Sequence, residues 1–166
     1  MLALWRSLLF ACSFLAMHSL LQSEIFEVRL TLDCLFCPYC ETNVQNILKE
    51  VKGVENSKVW SMEGLAVVTW KRDMPFYAAQ FFKAFQNTKF PLKEVYVDVE
   101  GIVHKNKDSM TFESKPDGSI FYIKNRGLPK VQDIQDGETV RLQGDVTCEQ
   151  GFNFLCVWDV LPEVLP

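Results

Sequence analysis

The first polar and apolar pattern that repeats regularly lies just after an apolar N-terminal segment. In FEVRLTL (26–32) every second residue is apolar, a period of two that predicts a strand with one covered face. After Cys40 the period changes, since apolar residues recur from Val44 to Val51 at helical spacing and Gly53 ends the run. The sequence therefore predicts a strand followed directly by a helix.

The next elements complete a mixed unit. KVW (58–60) and GLAVVTW (64–70) predict a hairpin, PFYAAQFFKAFQ (75–86) predicts a helix with one broad apolar face, and LKEVYVDVEGIV (92–103) predicts a strand. The order strand, helix, strand, strand, helix, strand is typical of a four-stranded antiparallel sheet with both helices on one face. We therefore expect a ferredoxin-like βαββαβ domain at residues 24–97.

The remaining chain, residues 98–166, predicts strands almost exclusively. VDVEGIVHKN, SMTFESK, SIFYIKN, ETVRLQGDVTC and FNFLCVWDVLP are five short strand-like segments, with PDG and EQG as turns between some of them. Such a series predicts a small all-β barrel that resembles an OB-type barrel in pattern only, with Phe152, Phe154 and Trp158 in its core. The predicted fold class is α+β, a ferredoxin-like domain followed by this OB-like barrel.

Residues 1–23 have the order of regions found in targeting segments. One positive charge in MLALWR precedes the apolar run SLLFACSFLAM and the small residues of HSLLQS. This order predicts a secretory signal and a secreted or periplasmic protein. Ser23 suits the position directly before a cleavage site, but Leu21, two places earlier, suits its position less well. The alternative is therefore an uncleaved anchor that holds the protein on a membrane, facing outside.

Charge and cysteine number narrow the classes of function. The net charge of −4 disfavours nucleic acid as a partner, since phosphate binding needs a basic face. Six cysteines are present, and without Cys12 of the signal segment an odd number remains. At least one thiol is then free, metal-bound or paired with another molecule, so a complete disulfide framework is excluded.

The stretch LDCLFCPYC (32–40) carries the candidate chemistry. A loop that runs from a strand end into a helix start lets Cys37 and Cys40 converge, and the helix N-terminus favours their thiolates. Two thiolates select soft cations, and Cu(I) accepts two or three of them, whereas Zn(II) prefers four ligands. No histidine lies nearby, so Cu(I) is the expected ion, with mercury or zinc as alternatives.

These residues resemble the heavy-metal-associated domain of copper chaperones and periplasmic mercury-binding proteins, over about residues 25–100. The family has an apolar residue two places before a Cys-x-x-Cys pair, and Leu35 occupies that position here. The apolar positions of the following helix and the Gly-Val after it also match the family's pattern. The resemblance implies Cys37 and Cys40 as metal ligands, with Leu35, Lys89 and Phe90 lining the site. Lys89 stands where the family has glycine. The resemblance also implies a non-enzymatic protein that exchanges its ion with a metal-donating or metal-accepting partner.

Other functions of the same cysteines remain open. Cys-Pro-Tyr-Cys has the spacing of thiol-disulfide oxidoreductases, although those folds place it in a longer alternating chain. A non-catalytic interaction module with incidental thiols is a further alternative. A structural disulfide between Cys37 and Cys40 is the least favoured, because its short loop removes little entropy.

The other three cysteines have weaker predictions. Cys34 shares the strand face of Leu32 by period two, which favours a buried or merely auxiliary role over a full metal ligand. Cys148 and Cys156 would lie opposite one another if the last hairpin turned through Gly151, Phe152 and Asn153. That pairing predicts a disulfide in exported protein.

Overall fold

The computed structural model describes residues 25–33, 37, 39–115, 117–124 and 127–161. Its strands are β1 (Ile25–Leu32), β2 (Val54–Trp60), β3 (Leu65–Trp70), β4 (Leu92–Lys105), β5 (Met110–Ser114), β6 (Ile120–Lys124), β7 (Thr139–Glu149) and β8 (Phe152–Leu161). The helices are α1 (Cys40–Lys49), α2 (Ala78–Phe85) and α3 (Pro129–Asp133), and a 3-10 turn covers Ser61–Glu63. The predicted signal or anchor, 1–23, lies outside the described residues. Within the described ranges no helix is long and apolar enough to cross a membrane.

Helix α1 forms where the apolar spacing predicts it. Cys40, Val44 and Leu48 recur every four residues, and all three are buried on the face that packs toward β2. The helix ends before Gly53, whose φ of 103° lies in the left-handed region. A Cβ at Gly53 would overlap the ring of Trp70, so glycine is required both for the turn and for this close approach.

The strands form one continuous sheet. Their order is β2-β3-β1-β4-β5-β6-β8-β7, and β4 also pairs with β7, so that β4 to β8 close into a five-stranded barrel. The barrel predicted in the C-terminal part of the chain is confirmed. The predicted fold class is wrong, because the protein is mostly β, a closed barrel with further strands added to it, and not a ferredoxin-like βαββαβ domain followed by a second unit.

Strand β4 is the physical reason for this difference. The sequence assigns residues 97–103 to two predicted strands, the last of the first domain and the first of the barrel, but β4 runs through 14 residues without a break. Its first part pairs with β1 and its last part with β5, while 96–102 pair with β7 along the other edge. The boundary that the sequence places between 97 and 98 therefore falls inside a strand.

Aromatic rings connect the core of the barrel to the rest of the protein. Phe76, fully buried before α2, packs on Trp70 of β3 with ring centroids 5.3 Å apart and on Phe121 of β6 at 5.9 Å. Phe121 in turn contacts Phe112 of β5 at 6.1 Å. Because these contacts run from β3 into the barrel without interruption, both parts share one hydrophobic core.

A partly buried ion pair joins β7 to β4 where the barrel closes. Nε and Nη2 of Arg141 donate to the two carboxylate oxygens of Asp98 at 2.6 and 2.7 Å, and Gln143 donates to the same group at 2.7 Å. The hydrogen bonds with Asp98 raise the pKa of Arg141, and burial followed by the Asp98 charge raises the pKa of Tyr96. A bidentate ion pair of this kind fixes the register of β7 against β4.

Buried polar side chains of the barrel also hold the segment that leads into α2. The Asn153 amide, 4% exposed, donates to the carbonyl oxygen of Phe76 at 2.8 Å, and its Oδ1 accepts the N–H of Ala78 at 3.1 Å. The hydroxyl of Ser119 accepts the N–H of Phe76 at 2.6 Å. Three backbone groups at the start of a helix thus find partners on the barrel.

Replacing Asn153 by alanine should lower the free energy of unfolding by about 2 kcal/mol, since two buried backbone groups lose their partners. Urea unfolding followed by tryptophan fluorescence measures the loss. The matched control is Asn43→Ala on the exposed face of α1, which should change stability by less than about 0.5 kcal/mol. Equal effects of the two substitutions would contradict the described role of Asn153.

Candidate thiol site at the end of the sheet

The thiol site lies between the end of β1 and the start of α1. Cys40 is the first residue of α1, and its backbone N–H donates to the carbonyl oxygen of Cys37 at 3.0 Å. This turn brings the Cα atoms of the two residues to 5.1 Å, within the usual range for bonded cysteines, and their sulfurs form a disulfide. The predicted convergence of Cys37 and Cys40 is confirmed. A disulfide between them, the least favoured reading of the sequence, is present.

The two sulfurs differ in exposure. Cys37 is exposed to solvent, whereas Cys40 is 2% exposed and lies on the apolar face of α1 with Val44. An incoming ion or thiolate therefore meets Cys37 first. Reduction of the disulfide would free both sulfurs at a helix N-terminus, where the aligned peptide dipoles favour negative charge.

Two neighbouring segments are attached to the start of the cysteine loop, residues 33–39 between β1 and α1. The backbone N–H of Leu32 donates to Gly64 of the β2–β3 hairpin at 2.7 Å, and that of Asp33 donates to Pro91, just before β4, at 2.9 Å. The hairpin and the connection from α2 to β4 therefore both contact the chain where β1 ends. Lys93 forms an ion pair with Asp33 at 3.1 Å beside this connection.

A further contact joins the same hairpin to the start of α1. Ser61 donates to Oε1 of Glu41 through its backbone N–H at 3.2 Å and through its hydroxyl at 2.9 Å. These hydrogen bonds lower the pKa of the Glu41 carboxyl, so it is charged at neutral pH. Because Glu41 directly follows Cys40, these hydrogen bonds also attach the β2–β3 hairpin to the helix end of the thiol site.

The predicted lining residues differ in their exposure to solvent. Phe90 is buried in the hydrophobic core, 9% exposed, and Lys89 is exposed in the loop before β4. Cys34 and Leu35 lie outside the described residues. In the part of the chain that is described, no three His, Cys, Asp or Glu side chains come together as a metal site. The pair of cysteine sulfurs brought together there is that of Cys37 and Cys40.

Two large side chains on the segments that border the thiol site are highly exposed. Met62, in the 3-10 turn of the β2–β3 hairpin, is 85% exposed, and Tyr39, directly before Cys40, is 76% exposed. Sequence reasoning placed Met62 in a hairpin turn but gave it no role. The available signal was a thioether, a soft donor, at the tip of a hairpin that ends on the same side of the sheet as the cysteine loop.

The predicted disulfide between Cys148 and Cys156 is wrong. The β7–β8 hairpin turns at Gln150 and Gly151, with φ of 53° and 86°, as a two-residue turn with positive φ at both positions requires. This tighter turn pairs Cys148 with Asn153 in place of Cys156. Both cysteines are free thiols, Cys148 half-buried and Cys156 buried.

The outer surface of the barrel carries aromatic residues that the sequence places in the core. Phe152 and Trp158 are 51% and 56% exposed, and Phe154 is half-buried. Trp158 is exposed because β8 has an extra residue there: Val157 and Asp159 pair with consecutive residues of β7, which leaves Trp158 unpaired in a bulge.

Basic side chains on the barrel are partly neutralised. Lys124 forms an ion pair with Glu149, and Lys130 pairs with Asp159 at 3.0 Å. Hydrogen bonds, first from Lys130, lower the pKa of Asp159. Such pairs leave little free positive charge at these positions for phosphate binding.

Comparison with known proteins does not extend this description. The chain matches no family model, no curated protein and no solved structure. Function must therefore be inferred from the chemistry of the thiol site itself.

Proposed function

We propose that the reduced protein binds one soft metal ion through Cys37 and Cys40 and exchanges it with a partner protein. Cu(I) is the expected ion, and Hg(II) and Zn(II) are weaker candidates. In this proposal the protein is exported to a secreted or periplasmic location and acts by binding, without catalysing a reaction. The N-terminal segment is its signal or its anchor.

The observation that carries the proposal is the convergence of two sulfurs at an exposed helix N-terminus. After reduction the two thiolates can separate and suit a two-coordinate Cu(I) ion, whereas Zn(II) needs further ligands that the described residues do not group around the pair. Exposure of Cys37 allows a partner's thiolate to enter the coordination sphere before Cys40 leaves it. The Cys-x-x-Cys resemblance to heavy-metal-associated domains supports the same proposal at the level of the motif.

The barrel has a supporting role in this proposal. Its strand order β4-β5-β6-β8-β7, with β6 and β8 parallel and α3 between β6 and β7, is compatible with the OB-type arrangement that the sequence suggests. Through β4 and the ring contacts of Phe76 the barrel is continuous with the sheet that ends at the thiol site. We propose that it positions this site or binds the partner.

A second function is favoured by the difference in exposure between the two bonded sulfurs. A partner thiolate can attack Sγ of Cys37, which forms a mixed disulfide and releases Cys40 as a thiolate at the helix N-terminus. A second partner thiolate then displaces Cys37, so the partner leaves oxidised and both cysteines are reduced. This thiol-disulfide exchange is the main alternative to metal binding.

Native mass spectrometry of the reduced chain with Cu(I) distinguishes the two functions. Metal binding predicts a single adduct of one copper per chain, and little reduction of insulin disulfides by the same sample. The redox function predicts rapid reduction of insulin and no stable copper adduct. That second result would overturn the proposal.

A further inference from the structure

The position of Met62 relative to the thiols carries an inference beyond the two-sulfur site. Among the described large apolar side chains Met62 is the most exposed, at 85%. A single exposed apolar side chain is ordinary. What distinguishes Met62 is that the turn carrying it is fixed on both sides to the ends of the cysteine loop.

The first attachment is at the start of that loop. Leu32, the last residue of β1, donates its N–H to the carbonyl oxygen of Gly64 at 2.7 Å. Gly64 has a φ of 64°, and a Cβ there would come within 3.0 Å of the Leu32 carbonyl oxygen. The hairpin therefore approaches the end of β1 as closely as only glycine permits.

The second attachment is at the end of the loop. Ser61, immediately before Met62, donates both its N–H and its hydroxyl to Glu41, immediately after Cys40. Met62 thus lies between one contact to the residue where the loop begins and another to the residue where it ends. A flexible side chain with three rotatable bonds on this turn can turn toward the start of α1, where Cys40 lies.

The chemistry of the side chain matches that position. A thioether is a soft, uncharged donor that prefers Cu(I), and two thiolates leave a Cu(I) ion able to accept a third ligand. No described His, Cys, Asp or Glu group supplies one. Resting on the proposed function, we propose that Met62 is the third, thioether ligand of the soft ion held by Cys37 and Cys40.

The test compares Met62→Leu with the wild-type chain. Leucine keeps the apolar volume without the sulfur, and the side chain is exposed, so folding should be unaffected. In competition for Cu(I) with bathocuproine disulfonate, we expect affinity to fall about tenfold, the lower end of the loss that outer-shell changes cause at metal sites. The matched control is Met110→Leu at the start of β5, which should leave affinity unchanged.

A spectroscopic measurement detects the bond directly. Selenomethionine-labelled, Cu(I)-loaded protein should show a copper neighbour in the selenium X-ray absorption spectrum, and this neighbour should vanish in Met62→Leu but persist in Met110→Leu. Unchanged affinity in Met62→Leu, with no copper near selenium in the unsubstituted chain, would overturn the inference while leaving the two-thiolate site intact. Failure of the unsubstituted reduced chain to take up Cu(I) would instead overturn the proposed function and this inference together.

Discussion

Serine in place of Cys37 or Cys40 should weaken Cu(I) binding by the reduced chain more than roughly 100-fold, since even loss of an outer-shell partner costs roughly 10–100-fold. Each substitution leaves a single thiolate and a hydroxyl, which is a hard, neutral donor with little affinity for Cu(I). Cys37 is exposed, so Cys37→Ser should not alter the core, whereas Cys40→Ser adds a hydroxyl to a buried position. Competition with bathocuproine disulfonate measures both losses.

Two other cysteines serve as controls for this result. Cys148→Ser, on the barrel and half-buried, should retain full affinity because it is remote from the cysteine loop along the sheet. Cys34→Ser should cause a modest loss or none. A loss at Cys34 as large as the losses at Cys37 and Cys40 would contradict the two-thiolate account and indicate a site with three thiolates.

Replacing Gly144 by alanine should destabilise the fold by about 3 kcal/mol, the upper part of the usual cost of overpacking. Gly144 lies on β7 opposite Val157, and a Cβ there would come within 3.0 Å of the carbonyl carbon and oxygen of Cys156. Because β7 pairs with β8 on one edge and β4 on the other, its backbone cannot shift without breaking a ladder. Urea unfolding measures the loss.

The control for Gly144 is a glycine with open space around it. Gly118 has a φ of 66° and no atom within 4 Å of a built Cβ, so Gly118→Ala should cost only the backbone strain, about 1 kcal/mol. If Gly144→Ala were no more destabilising than Gly118→Ala, the packing of β7 against β8 in the closed barrel would be contradicted.

The sequence pattern predicts those strands and helices whose formation depends on residues close together in the chain. Alternation over 26–32 predicted β1, and the helical spacing from Val44 onward predicted α1, since each signal depends on neighbours in the chain. The convergence of Cys37 and Cys40 followed from the same short-range geometry, because a strand end, a turn and a helix start place them three residues apart.

The fold class depended on contacts that no local pattern contains. The alternation of apolar residues in 92–103 is the same whether the segment ends one domain, begins another or does both. The sequence pattern therefore does not show that β4 is a single strand belonging to both parts. Closure requires β4 to pair with β7, and β6 to pair in parallel with β8, across long separations in sequence. Likewise the contact of Asn153 with Phe76 depends on the finished barrel.

One error had a purely local cause. The sequence predicts a turn of three residues that begins at Gly151, whereas Gln150 and Gly151 form the whole turn with positive φ at both. A change in turn length changes every pair along the hairpin, which moved Cys156 away from Cys148. A disulfide predicted from the spacing of two cysteines in a hairpin therefore requires that the number of turn residues be predicted correctly.

The central claim is that the reduced thiol pair holds one soft metal ion, and a single titration tests it most directly. Cu(I) is added to the reduced chain and to the chain with Cys37 and Cys40 oxidised, each in competition with bathocuproine disulfonate. The account predicts that the reduced chain removes about one Cu(I) per molecule from the chelator, while the oxidised chain removes none, because its sulfurs are already bonded to each other. A reduced chain that leaves all the Cu(I) with the chelator would contradict it.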